Sequence, residues 1–147
     1  MKLESQWIVG FVDGEGCFHI GINENKTFKL GYQVLPEFVI VQHKRDVKLL
    51  YNIKSFFGCG IVKRNHDDRM CFCVRKHEHL LNIIIPFFEK HQLKSLKKVD
   101  FLKFRKVVML MEKKKHLTLE GIEEIRKIRT KEFKIESSPF RQEKGEN

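Results

Sequence analysis

Four stretches of the chain alternate between apolar and polar residues, which is the period of a half-buried β-strand. They run over 17–23, 29–42, 61–65 and 69–74. In the first stretch, Phe18, Ile20 and Ile22 share one face, and polar or small residues occupy the other. Pro36 lies inside the second stretch. Because proline has no N–H for a sheet ladder, it predicts an edge position or a bulge there.

In the remaining segments, apolar residues recur every three to four positions, as they do in amphipathic helices. These segments run over 4–12, 44–57, 78–90 and 95–113, and a short last helix begins near Thr118. Pro86 should end or kink the third helix, because it lacks an N–H and crowds the preceding turn. Thr118 predicts an N-cap, since its hydroxyl can accept from free N–H groups of the first turn.

The predicted order is α-β-β-α-β-β-α-α, which indicates an α+β fold with one four-stranded antiparallel sheet and helices on one of its faces. The pattern fades after Phe133. We therefore predict one domain over 1–133 and a flexible C-terminal tail over 134–147, which is rich in Lys, Glu and Ser.

The charge is unevenly distributed. The net charge is +10, and ten Lys or Arg residues lie between Lys90 and Lys115, against two acids in the same segment. A clustered basic field is typical of nucleic-acid-binding proteins, although a solvated helix face in a basic protein is the alternative. A membrane is not an expected partner, because no apolar run approaches the ~18 residues of a spanning helix.

The chain start and the cysteines bear on location. Residues 1–6 have the features of neither a signal peptide nor a transit peptide, so a protein that works in an organelle would be made there.

The four cysteines, Cys17, Cys59, Cys71 and Cys73, contain no C-x-x-C pair. We expect reduced packing residues in an intracellular reducing compartment, and we do not expect a zinc site.

Residues 8–16, Ile-Val-Gly-Phe-Val-Asp-Gly-Glu-Gly, join an apolar helix to a close succession of acids and glycines. Gly10 and Gly14 lie four apart on one helix face, where another backbone can approach closely. Glu15 leaves the helix end with a carboxylate that suits a hard cation such as Mg²⁺. A short core helix with a glycine C-cap is the alternative interpretation of this stretch.

As a whole, residues 8–16 resemble the LAGLIDADG motif of homing endonucleases, and the resemblance covers roughly residues 7–131. Four further matches follow in the family's order. They are the Gln-His-Lys junction at 42–44, the Phe-Gly-x-Gly turn at 57–60, Lys-x-x-Asp-Phe at 97–101 and His-Leu-Thr-x-x-Gly at 116–121. The resemblance implies an αββαββα fold whose sheet forms a DNA-binding saddle.

The motif occurs once, and family members with one motif act as homodimers. The resemblance therefore implies that two copies pack through an interface formed by Trp7, Gly10, Phe11 and Gly14. It also implies an intron-encoded protein made in an organelle, either a chloroplast or a mitochondrion.

The implied activity is sequence-specific double-strand DNA cleavage at a long pseudo-palindromic site, by Mg²⁺-dependent phosphodiester hydrolysis. Glu15 and the Gly14 carbonyl would bind the metal, Gln42 would order a water, and Lys97 would steady the phosphate. Lys94 and Lys98 rival Lys97, because one sequence does not fix the register. Many members have Asp where this chain has Glu15, which changes the reach of the metal ligand.

The strand face opposite the core is expected to lie on DNA. Its base-contacting candidates are His19, Asn23, Gln33, Glu37, Arg69 and Arg75. By donor and acceptor pattern, Gln and Asn suit adenine, Arg suits guanine and Glu suits cytosine. Leu35, Val39 and Val41 share this face and suit thymine methyl groups. The phosphate-contacting candidates are Lys63, Arg64, Lys94 and Lys98.

Two other functions compete with cleavage. One is an RNA maturase, which would bind intron RNA on the same scaffold. The other is a basic structural dimer without catalysis. Retention of Glu15, Gln42 and Lys97 favours cleavage, because an RNA chaperone needs no metal-binding carboxylate.

Overall fold

The structure is a computed structural model that describes residues 2–131. The predicted tail over 134–147 and the end of the predicted domain lie outside the described residues. The elements are α1 (Ser5–Glu15), β1 (Gly16–Glu24), β2 (Tyr32–His43), a 3₁₀ turn (Lys44–Asp46), α2 (Val47–Phe57), β3 (Ile61–His66), β4 (Arg69–Val74), α3 (His77–His79), a π-helical segment (Leu80–Ile84), α4 (Ile85–Lys90), α5 (Lys97–Glu112), a 3₁₀ turn (Lys115–Leu117) and α6 (Leu119–Thr130).

The four strands form one antiparallel sheet in the order β1-β2-β4-β3, which confirms the predicted α+β class. β2 is central only over part of its length. Its pairing with β4 extends from His43 back to Phe38, whereas its pairing with β1 continues through Pro36 to Tyr32. Pro36 therefore lies where β2 has a neighbour on one side only. The predicted edge position is confirmed, since the missing N–H costs no ladder bond on the open side.

The core lies between the sheet and the helices, and phenylalanine fills much of it. Phe18 packs against Phe38 at 5.1 Å between ring centroids, and against Phe88 edge-on at 5.4 Å. Phe38, Phe72 and Phe104 are completely buried. Such ring pairs combine large apolar burial with a preferred mutual geometry, so they fix how the helices sit on the sheet. No helix within residues 2–131 has the length and hydropathy to cross a bilayer.

The end of α1 corrects one prediction. The first helix was predicted over 4–12, yet α1 continues through Glu15. The Gly16 N–H donates to the Val12 carbonyl, and Gly16 then pairs with Ile40 of β2. The helix ends where sheet pairing takes over its hydrogen-bonding groups, and a helical glycine costs only about 1 kcal/mol. Glu15 is therefore the last helical residue.

Two further boundaries differ from the predictions. β2 begins at Tyr32, because Asn25 accepts from the Thr27 N–H and organises the preceding residues as a loop. The chain also remains helical through Pro86, which was expected to end or kink it. The π-helical segment stops at Ile84, and Pro86 occupies the first turn of α4, where its missing N–H is tolerated.

The predicted N-cap is confirmed, since the Thr118 hydroxyl accepts from Gly121 N–H.

Candidate active site

The C-terminal end of α1 presents the candidate metal ligands to solvent. Ile8, Val9 and Val12 are buried on the core side of this helix, whereas Gly14 and Glu15 are exposed. The Glu15 carboxylate therefore leaves the helix at its last residue and points away from the core. Helix C-termini carry a partial negative charge, so this end of α1 favours a bound cation.

Asp13, two residues earlier, has a different environment. Its carboxylate accepts from the Lys94 N–H at 2.9 Å, the Ser95 N–H at 3.0 Å and the Ser95 hydroxyl at 2.7 Å. Partial burial acts to raise the pKa of Asp13, but these hydrogen bonds outweigh it and lower the pKa below its ordinary value. Asp13 thus ties α1 to the loop before α5.

That loop sets the position of Lys97. The Ser95 hydroxyl also accepts from the Lys97 N–H at 3.1 Å, at the start of α5. The Lys97 ammonium then donates to the Gly16 carbonyl at 2.6 Å, one residue beyond Glu15. Lys98 extends elsewhere and donates to the Gln92 side chain at 2.9 Å. Of the three rival lysines, Lys97 is the one whose ammonium donates a hydrogen bond to the backbone at the α1–β1 junction.

Ser95 did not stand out in the sequence as a candidate site residue. Its hydroxyl joins Asp13 to the first turn of α5 through one donated and one accepted hydrogen bond. A serine just before a basic helix is a capping signal, but the sequence does not show that its partner is 82 positions away in the chain.

Gln42 lies on the strand that pairs with the start of β1. Gly16 pairs with Ile40, and Gln42 lies two residues further along β2, a rise of about 6.6 Å. Its side chain shares the parity of Ile40, and the residue is half-buried. Glu15 ends α1, the Lys97 ammonium contacts the first residue of β1, and Gln42 lies two residues from the strand partner of that residue.

The donor chemistry of this junction fits a divalent cation. A carboxylate and a backbone carbonyl are hard oxygen ligands of the kind that Mg²⁺ and Ca²⁺ prefer. Glu15 and the Gly14 carbonyl would hold such an ion, and neighbouring phosphate oxygens or waters would complete its shell. No cluster of three His, Cys, Asp or Glu side chains suited to a metal forms within the described part of the chain.

α1 has an uncovered face of apolar and glycine positions. Trp7 is 41% exposed and stacks on Phe11 with ring centroids 4.9 Å apart. A Cβ added at Gly10 or Gly14 would meet no atom within 4 Å apart from its chain neighbours and the backbone of its own helix. Trp7, Gly10, Phe11 and Gly14 follow helical spacing, so they form one surface, and the glycines leave room on it for a closely packed partner.

The sheet face opposite the helices collects most of the predicted DNA contacts. Side chains of directly paired antiparallel residues share a face, so the register places them together. His19 pairs with Glu37, Asn23 with Gln33, and His43 with Arg69, while Lys63 pairs with Cys71. We call this surface the outer face; its residues are Cys17, His19, Gly21, Asn23, Gln33, Leu35, Glu37, Val39, Val41, His43, Ile61, Lys63, Arg69, Cys71, Cys73 and Arg75.

Three predicted phosphate contacts lie away from the outer face. Arg64 pairs with Met70 and so has the parity of the helix side, on the edge strand β3. The Lys94 N–H donates to Asp13 at the end of α1, and the Lys98 ammonium donates to Gln92. Both lysines therefore belong to the loop and helix around the start of α5 rather than to the strand face.

Ion pairing and thiols mark the centre of the outer face. The Arg75 Nε donates to the Glu37 carboxylate at 2.6 Å, and the Cys73 Sγ lies 3.6 Å from the same oxygen. Burial raises the pKa of Cys71 and Cys73, so both thiols stay protonated at neutral pH. The four cysteines are free, and Cys17 is the exposed one.

This geometry coincides with a known family. Residues 8–108 match the family model described as LAGLIDADG endonuclease. That span begins in α1, includes the whole sheet and ends in α5. The chain therefore belongs to the LAGLIDADG endonuclease family.

Relatives and solved structures agree in sequence and fold. A probable intron-encoded endonuclease of Neurospora crassa is 39% identical over 125 residues, which are 84% of this chain and 28% of that protein. The crystal structure of the homing endonuclease I-TnaI superposes with a TM-score of 0.84 at 55% identity, covering 87% of this chain and 86% of that one. I-SmaMI bound to cleaved DNA gives a TM-score of 0.86 at 35% identity, covering 97% of this chain and 48% of that one.

I-SmaMI is also known bound to its uncleaved DNA target in the presence of calcium ions. The chain thus spans about a quarter of the Neurospora relative and about half of I-SmaMI.

Proposed function

We propose that the chain is a sequence-specific double-strand DNA endonuclease that acts as a homodimer with a divalent metal, Mg²⁺ being the expected ion. The observation that carries this proposal is the Lys97 ammonium on the Gly16 carbonyl, which brings a cation to the helix end that carries Glu15. A solvated basic helix would not need a lysine ammonium held at 2.6 Å on the Gly16 carbonyl, one residue from the exposed Glu15. Family membership and the DNA-bound I-SmaMI structure support the same activity.

The residues at the α1–β1 junction have different roles in phosphodiester hydrolysis. Glu15 and the Gly14 carbonyl hold the metal, which when bound supplies an activated water and charge stabilisation at the phosphate. Lys97 places a positive charge where negative charge builds on the phosphoryl oxygens. Gln42 orients a water through its amide, which can donate and accept. Asp13 and Ser95 hold Lys97 in place and are positioning residues.

Two copies of the motif helix are needed to cut both strands. The uncovered face of α1 supplies the contact: its glycines let two helices approach closely, and this brings the two Glu15 carboxylates near each other. A dimer of this kind is isologous, because the same patch faces itself across a two-fold axis. Its DNA site should then be pseudo-palindromic, and the outer faces of both copies should line the major groove.

The proposed setting is an organelle whose intron encodes the chain. Support comes from the Neurospora relative, which is named as intron-encoded. Intron RNA is a possible partner of the same scaffold only if the maturase alternative holds, and the experiment below includes that outcome.

The test is cleavage of a plasmid library that carries randomised duplex inserts, with Mg²⁺, with Ca²⁺ and with chelator. The wild-type chain should linearise a subset of plasmids with Mg²⁺, and the recovered inserts should share a palindrome-like consensus. Glu15→Gln should lose about a thousand-fold in rate, because several kcal/mol of metal-dependent stabilisation disappear. Glu4→Gln, at the exposed other end of α1, is the matched control and should cleave at the wild-type rate.

Two results would refute the proposal. One is a Glu15→Gln variant that cuts as fast as the control. The other is a wild-type chain that binds duplex DNA indifferently to metal and sequence, which would indicate a structural DNA-binding dimer. Promotion of intron RNA splicing without any DNA cleavage would instead establish the maturase alternative.

A further inference from the structure

An ion pair lies at the centre of the outer face, between residues 38 positions apart in the chain. Phe38 pairs with Val74 in the β2–β4 ladder, so Glu37 and Arg75 face each other one step beyond that pair. The Arg75 Nε donates to Glu37 Oε2 at 2.6 Å. The Cys73 Sγ approaches the same oxygen at 3.6 Å, so the carboxylate is engaged from two sides.

The two partners differ in exposure. The Glu37 side chain is 19% exposed, whereas the Arg75 side chain is 56% exposed. The acid is therefore sunk between the strands, and the guanidinium extends from it towards the space above the sheet. The carboxylate that the sequence assigned to cytosine is engaged by Arg75.

The atom used by Arg75 has a chemical consequence. A guanidinium carries five N–H donors, and the bond to Glu37 uses the one on Nε. The terminal nitrogens keep donors with which to form a forked pair. Two such donors match guanine O6 and N7 in the major groove, which is the commonest specific contact between a protein and a base pair.

Orientation by the carboxylate lowers the cost of that contact. A free arginine side chain loses rotamer freedom when it is fixed, and an arginine already held by Glu37 has lost part of that freedom before DNA binds. The Arg75 end of the pair is 56% exposed, so solvent screens much of the attraction and the contribution to folding stability is modest. Its position is of use to a molecule that lies on the outer face.

We infer that Glu37 is a positioning residue that holds Arg75 to read one guanine in each half-site of the target DNA. This inference rests on the proposed function and deepens it. The base preference at one position in each half-site then depends on both residues: Arg75 contacts the base, and Glu37 holds Arg75 without contacting the base.

The test is recovery of cleaved inserts from the randomised library by the wild-type chain, Arg75→Gln, Glu37→Gln and Glu89→Gln. The wild type should recover guanine at one position in each half-site. Arg75→Gln should lose that preference, by about 5- to 150-fold. Glu37→Gln should weaken the preference at the same position while the others keep theirs.

Glu89→Gln is the matched control. Glu89 Oε2 lies 3.2 Å from Arg105 Nε, so the same two atom types pair on the helix side of the molecule. This variant removes one carboxylate charge from an arginine in the same way but away from the outer face. It should reproduce the wild-type preference at every position.

The inference is overturned if Glu37→Gln keeps the full guanine preference, or if Arg75→Gln changes no position. It is also overturned if Glu37→Gln weakens all positions equally together with a lowered thermal unfolding midpoint, since that is the signature of a merely structural role. If the wild type does not cleave, the same library is sorted by binding in Ca²⁺. Loss of one guanine position in both variants then supports the pair while the proposed cleavage fails, and binding without sequence preference overturns both.

Discussion

The two faces of the sheet are built from the same strands but differ in burial: one packs against the helices in the core, and the other faces outwards. On the helix side, Phe18, Phe38 and Phe72 are at most 7% exposed and belong to one hydrophobic core. On the outer face, His19 and Asn23 are exposed, and their partners on β2 are half-buried. Because side chains alternate along a strand, each residue that builds the fold is followed by one that faces outwards.

The outer face is nevertheless not simply a polar surface. Cys71 and Cys73 are 2% and 3% exposed, although neither belongs to the core cluster. They are covered by neighbours on the same face, as the approach of Glu37 to the Cys73 thiol shows. The residues on the helix side are thus apolar and buried in the core. The outer face instead combines buried small residues with a few polar side chains held in fixed orientations, which is the composition expected of a surface that binds another molecule specifically.

Phe38 and Val39 are adjacent on β2 but face opposite sides of the sheet, so substituting each of them is the strongest test of the difference between the two faces. Phe38→Ala should cost about 3–5 kcal/mol in the free energy of unfolding, because it leaves a large cavity in the core. Val39→Ala should cost under about 1 kcal/mol and should change the base preference of the cleaved sites instead. Urea denaturation at constant m-value measures the first effect. Similar losses of stability for both variants would contradict the division.

The same division runs along α1, where Val9 faces the core and Gly10 faces outwards. Gly10→Leu should leave the isolated fold intact and stabilise its helix by up to about 1 kcal/mol, because nothing lies within 4 Å of the added Cβ. It should weaken dimer formation by about 1–3 kcal/mol through overpacking. Analytical ultracentrifugation measures the dissociation constant, with Glu124→Leu on the exposed side of α6 as the control. Unchanged dimerisation of Gly10→Leu would place the interface elsewhere.

Sequence patterns predicted the parts of this molecule that depend on local periodicity. All four strands and the main helices follow from alternation and helical spacing, and β4 has the predicted bounds. The end of α1 was misplaced, because two glycines and an acid look like a helix terminus. Pairing of Gly16 with Ile40, a long-range contact, decides where the helix ends.

The candidate site was predictable in its residue types but not in its connections. Glu15 and Gln42 followed from the family resemblance, whereas the choice among Lys94, Lys97 and Lys98 did not. That choice depends on a loop whose conformation is fixed by Asp13, more than 80 positions earlier. Hydrogen bonds over such separations have no local signature, and the Glu37–Arg75 pair has none for the same reason.

At the end of α1, Asp13 holds the loop before α5 and Glu15 is the proposed metal ligand. Asp13→Asn tests the structural role of Asp13. We expect a loss of about 1 kcal/mol in stability at pH 7, as for a removed helix cap, and a larger loss of cleavage rate because Lys97 is no longer held. Asp46→Asn, at a helix start without a side-chain cap bond, is the control. Loss of stability without any loss of cleavage would show that Lys97 does not need this support.

The pH dependence of the same variant sharpens the test. Folding lowers the pKa of Asp13, so its carboxylate contributes stability above its ordinary pKa of 3.8 and loses that contribution as the pH falls through the lower, folded value. The difference between wild type and Asp13→Asn in urea denaturation should therefore shrink in strong acid. A difference that is constant from pH 7 downwards would argue against these hydrogen bonds.

The smallest effects are expected from two histidines on opposite sides of the molecule. On the helix side, burial lowers the pKa of His116, and the nearby charges of His77 and Lys114 lower it further. Because the folded state resists protonating this ring, His116 should reduce stability as the pH falls below its ordinary value of 6.5 towards the lower, folded value. His116→Gln should flatten that decline, which thermal unfolding midpoints between pH 7 and pH 5 would show.

His19→Gln is the counterpart on the outer face, where the ring is exposed and opposite Glu37. Its substitution should leave the free energy of unfolding at pH 7 within about 0.5 kcal/mol of wild type, as for most surface changes. It should alter the base preference next to the position read by Arg75. An altered fold stability together with an unaltered cleavage consensus would mean that the outer face at His19 serves the fold, and the contrast between the two faces would not extend to the edge strand β1.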